Sequence, residues 1–278
     1  MLFITITTGI HVSLAQNSFP AGTFERGYGT PADDEAYAVC KTIDSGWCAA
    51  GYSLGFGSDK DLFIVNFDSS GRVTWSTNLN ALGNETAYGI SRFSNGDLVV
   101  AGSTSLTTSA NNDLLVARYS SAGTLLWSQI IGAHNDNEYA NEVLALSNGN
   151  VFVAGTRKVA GLNKDAVIWI LDGSGNLITS QNYSLSSDEE FTDCFLTHDG
   201  GVILCSSSIS GTNKILWEVK TDYYGDSIWT KQEAFPYYYL TATTCCELVT
   251  GELVFAGVER ISSGNNSKTY YHVTDSVG

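Results

Sequence analysis

An all-β fold, specifically a β-propeller of four-stranded blades about 50 residues long, is predicted by three repeats that run in step along this sequence. The turn phrase Asp68-Ser-Ser-Gly71 returns as Ser120-Ser-Ala-Gly123, Asp172-Gly-Ser-Gly175, Asp222-Tyr-Tyr-Gly225 and Asp275-Ser-Val-Gly278, which puts its glycines 52, 52, 50 and 53 residues apart. A second register of turn glycines, Gly46, Gly96, Gly149, Gly200 and Gly251, is followed five or six residues later by Gly51, Gly102, Gly155, Ser206 and Gly257. Asp61, Asp113 and Asp165 form a third register at intervals of 52 and 52.

Composition points the same way. The 278 residues are 43% hydrophobic and 12% aromatic, enough for a sizeable core, with 28 glycines and few runs that favour helix. A formal net charge of −15, from 29 acidic and 14 basic residues, repels phosphate backbones and anionic membranes, so nucleic acid is not an expected partner. No segment after the N-terminus is apolar enough to cross a bilayer.

Taken in chain order, residues 1–16 read as a secretory signal. The apolar stretch "LFITITTGIHVSLA" (2–15) ends in a small residue, although no Lys or Arg precedes it. The remainder, 17–278, reads as the propeller, with repeats at 29–79, 80–131, 132–183, 184–233 and 234–278. In the second repeat, strands are expected at 86–93, 97–103, 113–119 and 124–130, with "SNGD" (94–97) and "SSAG" (120–123) as turns. The third strands, "LFIVNF", "LLVARY", "AVIWIL" and "ILWEV", are nearly continuous apolar runs, as a strand covered on both faces requires. "FERGYG" (24–29) aligns with the fourth strand "WSQIIG" (127–132), and the fifth repeat stops where its own fourth strand would begin. An N-terminal strand completing the last blade would close a five-bladed ring. The mid-repeat character of the last residues favours a fragment of a larger ring.

Within the turn phrase, Asp68, Asp172 and Asp222 are read as turn caps, and Gly71, Gly123, Gly175 and Gly225 as the positive-φ positions. Trp75, Trp127 and Trp229, four residues after their glycines, are blade-interface packing, and Thr179 holds that place in the third copy. The Asp-to-Gly interval of three differs from the two of sialidase-like Asp-boxes. It also differs from the longer spacing of quinoprotein propellers, so neither chemistry is implied.

Four acids, Asp34, Glu85, Glu138 and Glu190, recur at intervals of 51, 53 and 52, five residues before Val39, Ile90, Val143 and Phe195. Such a ring is either a solvated rim that stabilises strand starts or a ligand site, with Ca²⁺ as the cation it would take. The tyrosines Tyr237, Tyr238 and Tyr239 are either core or a stacking surface for sugar or protein. The six cysteines suit an oxidising compartment: Cys194 with Cys205 and Cys40 with Cys48 are cross-strand disulfide candidates or buried thiols. The adjacent Cys245 and Cys246 are either a vicinal disulfide, as in quinoprotein alcohol dehydrogenases, or thiols on alternate faces. His11, His134, His198 and His272 share no Ser, Cys or Asp partner, and no hydrolase or nucleotide-binding motif occurs.

The unit "DLFIVNFDSSGRVTWS…GNETAYGISRFSNGDLVVAGST" resembles the exported β-propeller repeat proteins common in Bacteroidetes, over residues 24–278. That resemblance implies a propeller, secretion or surface display, often a type IX sorting domain that is not seen in this sequence, and no catalytic residues. The expected function is an exported, non-enzymatic scaffold, a monomer or a module of a longer chain, that binds protein or glycan at the cell surface without a cofactor. The alternative is a propeller enzyme, quinone-dependent or glycan-cleaving.

Overall fold

The computed structural model describes residues 27–81, 83–106, 111–132, 136–185, 187–210, 213–233, 238–261 and 267–278, with the backbone alone at 106, 207–210, 213–214, 238–241 and 260–261. The segment read as a signal lies outside them, as do residues 24–26 of the expected N-terminal strand; Gly27–Thr30 is not strand. The described residues form four four-stranded antiparallel sheets and one three-stranded sheet, each with its strands in chain order.

The chain divides into two compact units, Met1–Gly132 and Ala133–Gly278. The first unit holds β1 (Asp34–Lys41), β2 (Trp47–Ser53), β3 (Asp61–Phe67) and β4 (Val73–Leu79), then β5 (Gly83–Arg92), β6 (Leu98–Leu106), β7 (Asn112–Tyr119) and β8 (Leu125–Ile131). The four strands expected in the second repeat are thus present with ends within three residues of those read from the sequence.

The second unit holds three sheets. They are β9 (Asp136–Ala145), β10 (Val151–Val159), β11 (Lys164–Leu171) and β12 (Leu177–Tyr183); β13 (Asp188–Leu196), β14 (Val202–Ser210), β15 (Asn213–Thr221) and β16 (Ser227–Glu233); and β17 (Tyr238–Glu247), β18 (Leu253–Ile261) and β19 (Ser267–Thr274).

Sheet packing follows from the apolar pattern. In the first unit, Ile64 of β3 and Cys48 of β2 meet Ala87, Val100 and Leu115 of the next sheet. In the second, Ile168 and Ile170 of β11 meet Phe191 and Leu204, and Ile203 and Leu216 meet Ala242 and Phe255. The third strands of the four-stranded sheets are buried on both faces. The fourth strands alternate between exposed and half-buried residues, as an edge strand with one covered face does.

Each sheet's first strand carries one β-bulge at an equivalent place, at Tyr37, Tyr88, Asn141, Thr192 and Thr243. The bulge drives a carbonyl against the partner strand. A Cβ on Gly51 would lie 1.8 Å from the Glu35 oxygen, and one on Gly102 would lie 1.9 Å from that of Thr86. That close approach is the physical reason for the glycine register that follows each turn.

The hairpin turns are longer than two residues. In the fourth sheet Thr197 N–H donates to Gly201 O and Gly200 N–H to Thr197 O, with Gly200 at φ +84°. The extra left-handed residue slips the register by one, so Cys205 stands opposite Asp193 and Cys194 opposite Leu204. The same geometry in the first sheet gives the positive-φ place to Ser45, at φ 66°, rather than to Gly46.

Candidate functional site

The repeated turn phrase is a self-contained hydrogen-bonded loop. Asp68 Oδ1 accepts from the N–H of Ser70 (2.9 Å) and Arg72 (3.0 Å), and Gly71 N–H donates to Asp68 O. Asp172 serves Ser174 and Asn176 in the same way, and Asp222 serves Tyr224 and Asp226. The hydrogen bonds from Ser70 to Asp68 and from Asn176 to Asp172 hold both carboxyls below the usual range. The glycines at 71, 123, 175 and 225 all have positive φ.

The tryptophan that follows reaches across to the next sheet's turn. Trp75 Nε1 donates to Ser121 O at 3.1 Å, and Trp229 Nε1 donates to Ser276 O at 3.3 Å. Trp127 occupies the matching place on β8, opposite Arg118. On β12 Thr179 stands there, and two other side chains take over the job. Gln181 Nε2 donates to Asp226 Oδ1 (3.0 Å), and Tyr183 Oη donates to Gly225 O (2.6 Å). Burial pushes the Tyr183 phenol up to about 12.

Three of the recurring acids, Asp34, Glu85 and Glu138, lie buried at the starts of their strands and not on a solvated rim. Glu85 Oε2 and Oε1 accept from Ala81 N–H (3.2 Å) and Gly83 N–H (3.0 Å), so the carboxylate ties down the loop that leads into its own strand. Glu189 does the same for Leu185 and Ser187, which makes it, and not Glu190, the fourth-sheet counterpart. Glu190 is half-buried, 3.5 Å from Lys164 Nζ. Asp34 accepts from Thr30 N–H, and Glu138 lies 3.4 Å from Arg157 Nε. The carboxylates of Asp34, Glu85 and Glu189 thus hold the loops that lead into their own strands.

Bulge residues differ between the units, and the difference creates a surface. In the second unit Asn141 Nδ2 donates to Phe191 O (2.7 Å) and Thr192 Oγ1 to Ala242 O (2.9 Å), each stitching one sheet to the next. In the first unit the bulge side chains are Tyr37 and Tyr88, with ring centroids 5.1 Å apart. Tyr52 joins them 6.2 Å from Tyr37, and Lys60 Nζ sits 3.7 Å over the Tyr52 ring. Tyr37 is 45% exposed, and its Oη donates to Glu35 Oε2 at 2.9 Å. Desolvation, and then the hydrogen bond to Glu35, raise the Tyr37 phenol above its usual range. Three aromatic rings, an ammonium and a carboxylate are therefore gathered on one face, with Tyr37 and Glu35 exposed and Tyr52, Lys60 and Tyr88 half-buried. The sequence signal for it was present but dispersed: a Tyr two residues before Val39 and another two before Ile90. Of the tyrosines singled out from sequence, Tyr237 lies outside the described residues, and Tyr238 and Tyr239 begin β17.

All six cysteines are thiols. Cys40 does stand opposite Cys48. Cys194 and Cys205 face different cores, the first toward Ile168 and Phe191, the second toward Ala242 and Cys245, as the one-residue slip dictates. Strand alternation likewise buries Cys245 and leaves Cys246 half-exposed, against a vicinal bridge. Asp193, Cys205 and Cys245 bring ligand-type atoms within 4.8 Å of one another. Asp193 there already accepts from Thr244 Oγ1 and Cys245 N–H.

His272, which showed no partner in the sequence, has two in space. Its Nδ1 lies 2.7 Å from Glu218 Oε1 and its Nε2 3.6 Å from Glu233 Oε1. Tyr270 Oη donates to Glu233 Oε2 at 2.8 Å, and Lys231 Nζ is 3.6 Å from the other oxygen. Desolvation raises the Glu218 carboxyl, against the opposing hydrogen bond from His272.

No family model matches the chain, and no curated protein matches it. Solved structures do. A protein of unknown function from Dyadobacter fermentans aligns with a TM-score of 0.59 at 12% identity, over 85% of this chain and 74% of that one. The fold is a β-propeller. The α-L-arabinanase of Penicillium chrysogenum, in complex with arabinobiose, aligns at 0.54 with 11% identity over 86% and 92% of the two chains. The endo-arabinase of Bacteroides thetaiotaomicron aligns at 0.51 with 8% identity over 86% and 93%. Propeller neighbours thus include both arabinan-degrading enzymes and a protein of unknown function. Among the described residues no helix is long and apolar enough to cross a membrane.

Proposed function

We propose that the protein is an exported β-propeller of the Bacteroidetes repeat type that binds glycan at the cell surface without cleaving it. The tyrosine surface of its first unit is the docking face. The observation that carries this reading is the pairing of Tyr37 and Tyr88 at matched bulges, with Tyr52 beside them. Aromatic faces stack on the C–H faces of sugars, while Glu35 and Lys60 offer an acceptor and a donor for hydroxyls. The acidic surface disfavours anionic polymers, which leaves neutral glycans as the compatible class. The signal-like N-terminus supports export.

The similar fold held in complex with arabinobiose makes arabino-oligosaccharides the first ligands to try. Titration calorimetry with that series, alongside xylo- and gluco-oligosaccharides, tests the reading. Binding to at least one series is expected, weakened about tenfold by Tyr37→Ala and Tyr88→Ala, since stacking contributes on the order of 1 kcal/mol per ring. Failure of every series to bind, or wild-type affinity in both variants, overturns the site. Release of shorter sugars during the titration overturns the non-enzymatic part.

A further inference from the structure

We propose that Glu218, Glu233 and His272 form a binding site for one Zn²⁺ ion between the last two sheets of the second unit. Their ligand atoms all lie within 4.8 Å of one another, and the set is one imidazole nitrogen and two carboxylate oxygens, which is the donor class Zn²⁺ accepts with a water in the fourth place. Glu218 is completely buried, and its Oε2 has no hydrogen-bond partner. A buried carboxylate oxygen left without a partner is costly, and a cation is the group that would satisfy it. His272 and Glu233 retain 19% and 18% side-chain exposure, which leaves a path for the ion.

Comparison of equivalent positions separates this cluster from ordinary interface packing. Register pairing aligns Glu218 with Ile64, Val116 and Ile168 of the earlier sheets, Glu233 with Leu79, Ile131 and Tyr183, and His272 with Val65, Ala117, Trp169 and Val219. Three positions that are apolar or aromatic elsewhere become ionisable together in this one interface. Two carboxylates and an imidazole converging on one point are a coordinated change, and two of the three come from neighbouring strands of one sheet while the third comes from the next. Around them Tyr270 donates to Glu233 and Lys231 approaches it, so the outer groups that orient a metal's carboxylate are in place. The site is independent of the tyrosine surface, which lies in the other unit.

The test is Zn²⁺ binding to chelator-stripped, full-length protein at neutral pH, read by equilibrium dialysis with metal analysis and by the Tm shift. About one Zn²⁺ per chain and a raised Tm are expected. Glu218→Gln and His272→Gln should abolish the binding, Tyr270→Phe should weaken it about tenfold, and Cys205→Ser with Cys245→Ser should leave it intact. Unfolding of the Glu218 variant does not rescue the idea, because substitution of Co²⁺ into the wild type gives a second readout. A spectrum of nitrogen and oxygen ligation without thiolate charge transfer supports the site, and thiolate bands overturn it. No stoichiometric Zn²⁺, or binding that survives His272→Gln, reduces the cluster to a histidine held between two carboxylates and also overturns the proposal.

Discussion

Trp75 lies flat against the turn of the next sheet at Gly123, so close that a Cβ on that glycine would sit 2.6 Å from the indole Cε3. The indole N–H anchors the same turn through Ser121 O. Two constraints coincide at Gly123: φ is +83°, and the space over Cα is filled by a ring. The turn phrase is therefore a latch between sheets, with the acid closing the loop and the glycine receiving the tryptophan.

Gly123→Ala separates those constraints. The left-handed backbone alone costs about 1–2 kcal/mol for an L-residue, and the clash with Trp75 adds to it. In a Trp75→Ala background the clash disappears, so the same glycine change should cost only the backbone part. Denaturant unfolding of the two single variants and the double variant measures this; strict additivity would show that the indole does not press on Gly123.

The third copy of the latch gives a second expectation. Thr179 cannot reach the neighbouring turn, and Tyr183 donates to Gly225 O in its place. Tyr183→Phe keeps the ring against Phe191 and Trp217 and deletes only that hydrogen bond. A loss of about 1 kcal/mol in unfolding free energy is expected. An unchanged midpoint would assign the interface to the ring alone.

These particulars show what was legible beforehand. The period, the strand positions and the turn residues were readable because each is written locally: a positive φ needs Gly71 or Gly123, and a doubly covered strand needs an apolar run such as "AVIWIL". Register was not, because the one-residue slip at Gly200 depends on the loop's hydrogen bonding and sends Cys194 and Cys205 to opposite faces. Nor were the sites. Tyr37 meets Tyr88, 51 residues away, and Glu218 meets His272, 54 residues away, through sheet packing that no single segment encodes. The acid ring was half legible: its period was visible, but placing the fourth member at Glu190 missed Glu189, which makes the capping bonds.

Strand alternation at Cys245 and Cys246 predicts different reactivity for neighbouring thiols. Burial raises the Cys245 thiol well above its usual range and hides it between sheets, while Cys246 is half-exposed. Brief alkylation of the native protein, followed by peptide mass analysis, should label Cys246 first and Cys245 only after unfolding. Equal protection of both, released by a reductant, would establish the vicinal bridge instead.

Stability should fall as pH rises through neutrality, and Glu142 is the reason. Its carboxyl, on β9, is pushed up to about 8, first by burial and then by the nearby Asp193 carboxylate, against one opposing hydrogen bond from Val143 N–H. Asp193 is itself raised by burial, and the Cys194 thiol beside both is buried. The folded state thus holds a proton that the unfolded chain releases near 4.5. The contribution is fully present below about pH 4.5 and is lost progressively up to about pH 8, at up to about 1.4 kcal/mol per pH unit. Asp199 acts oppositely but in a different window. Despite desolvation, its hydrogen bonds from Lys220 and Thr197 hold it down to about 2, so its contribution is lost only below about pH 4. Glu142→Gln should therefore raise Tm at pH 8, leave it nearly unchanged at pH 5, and flatten the curve between them. Parallel wild-type and variant curves over that interval would move the effect to another group.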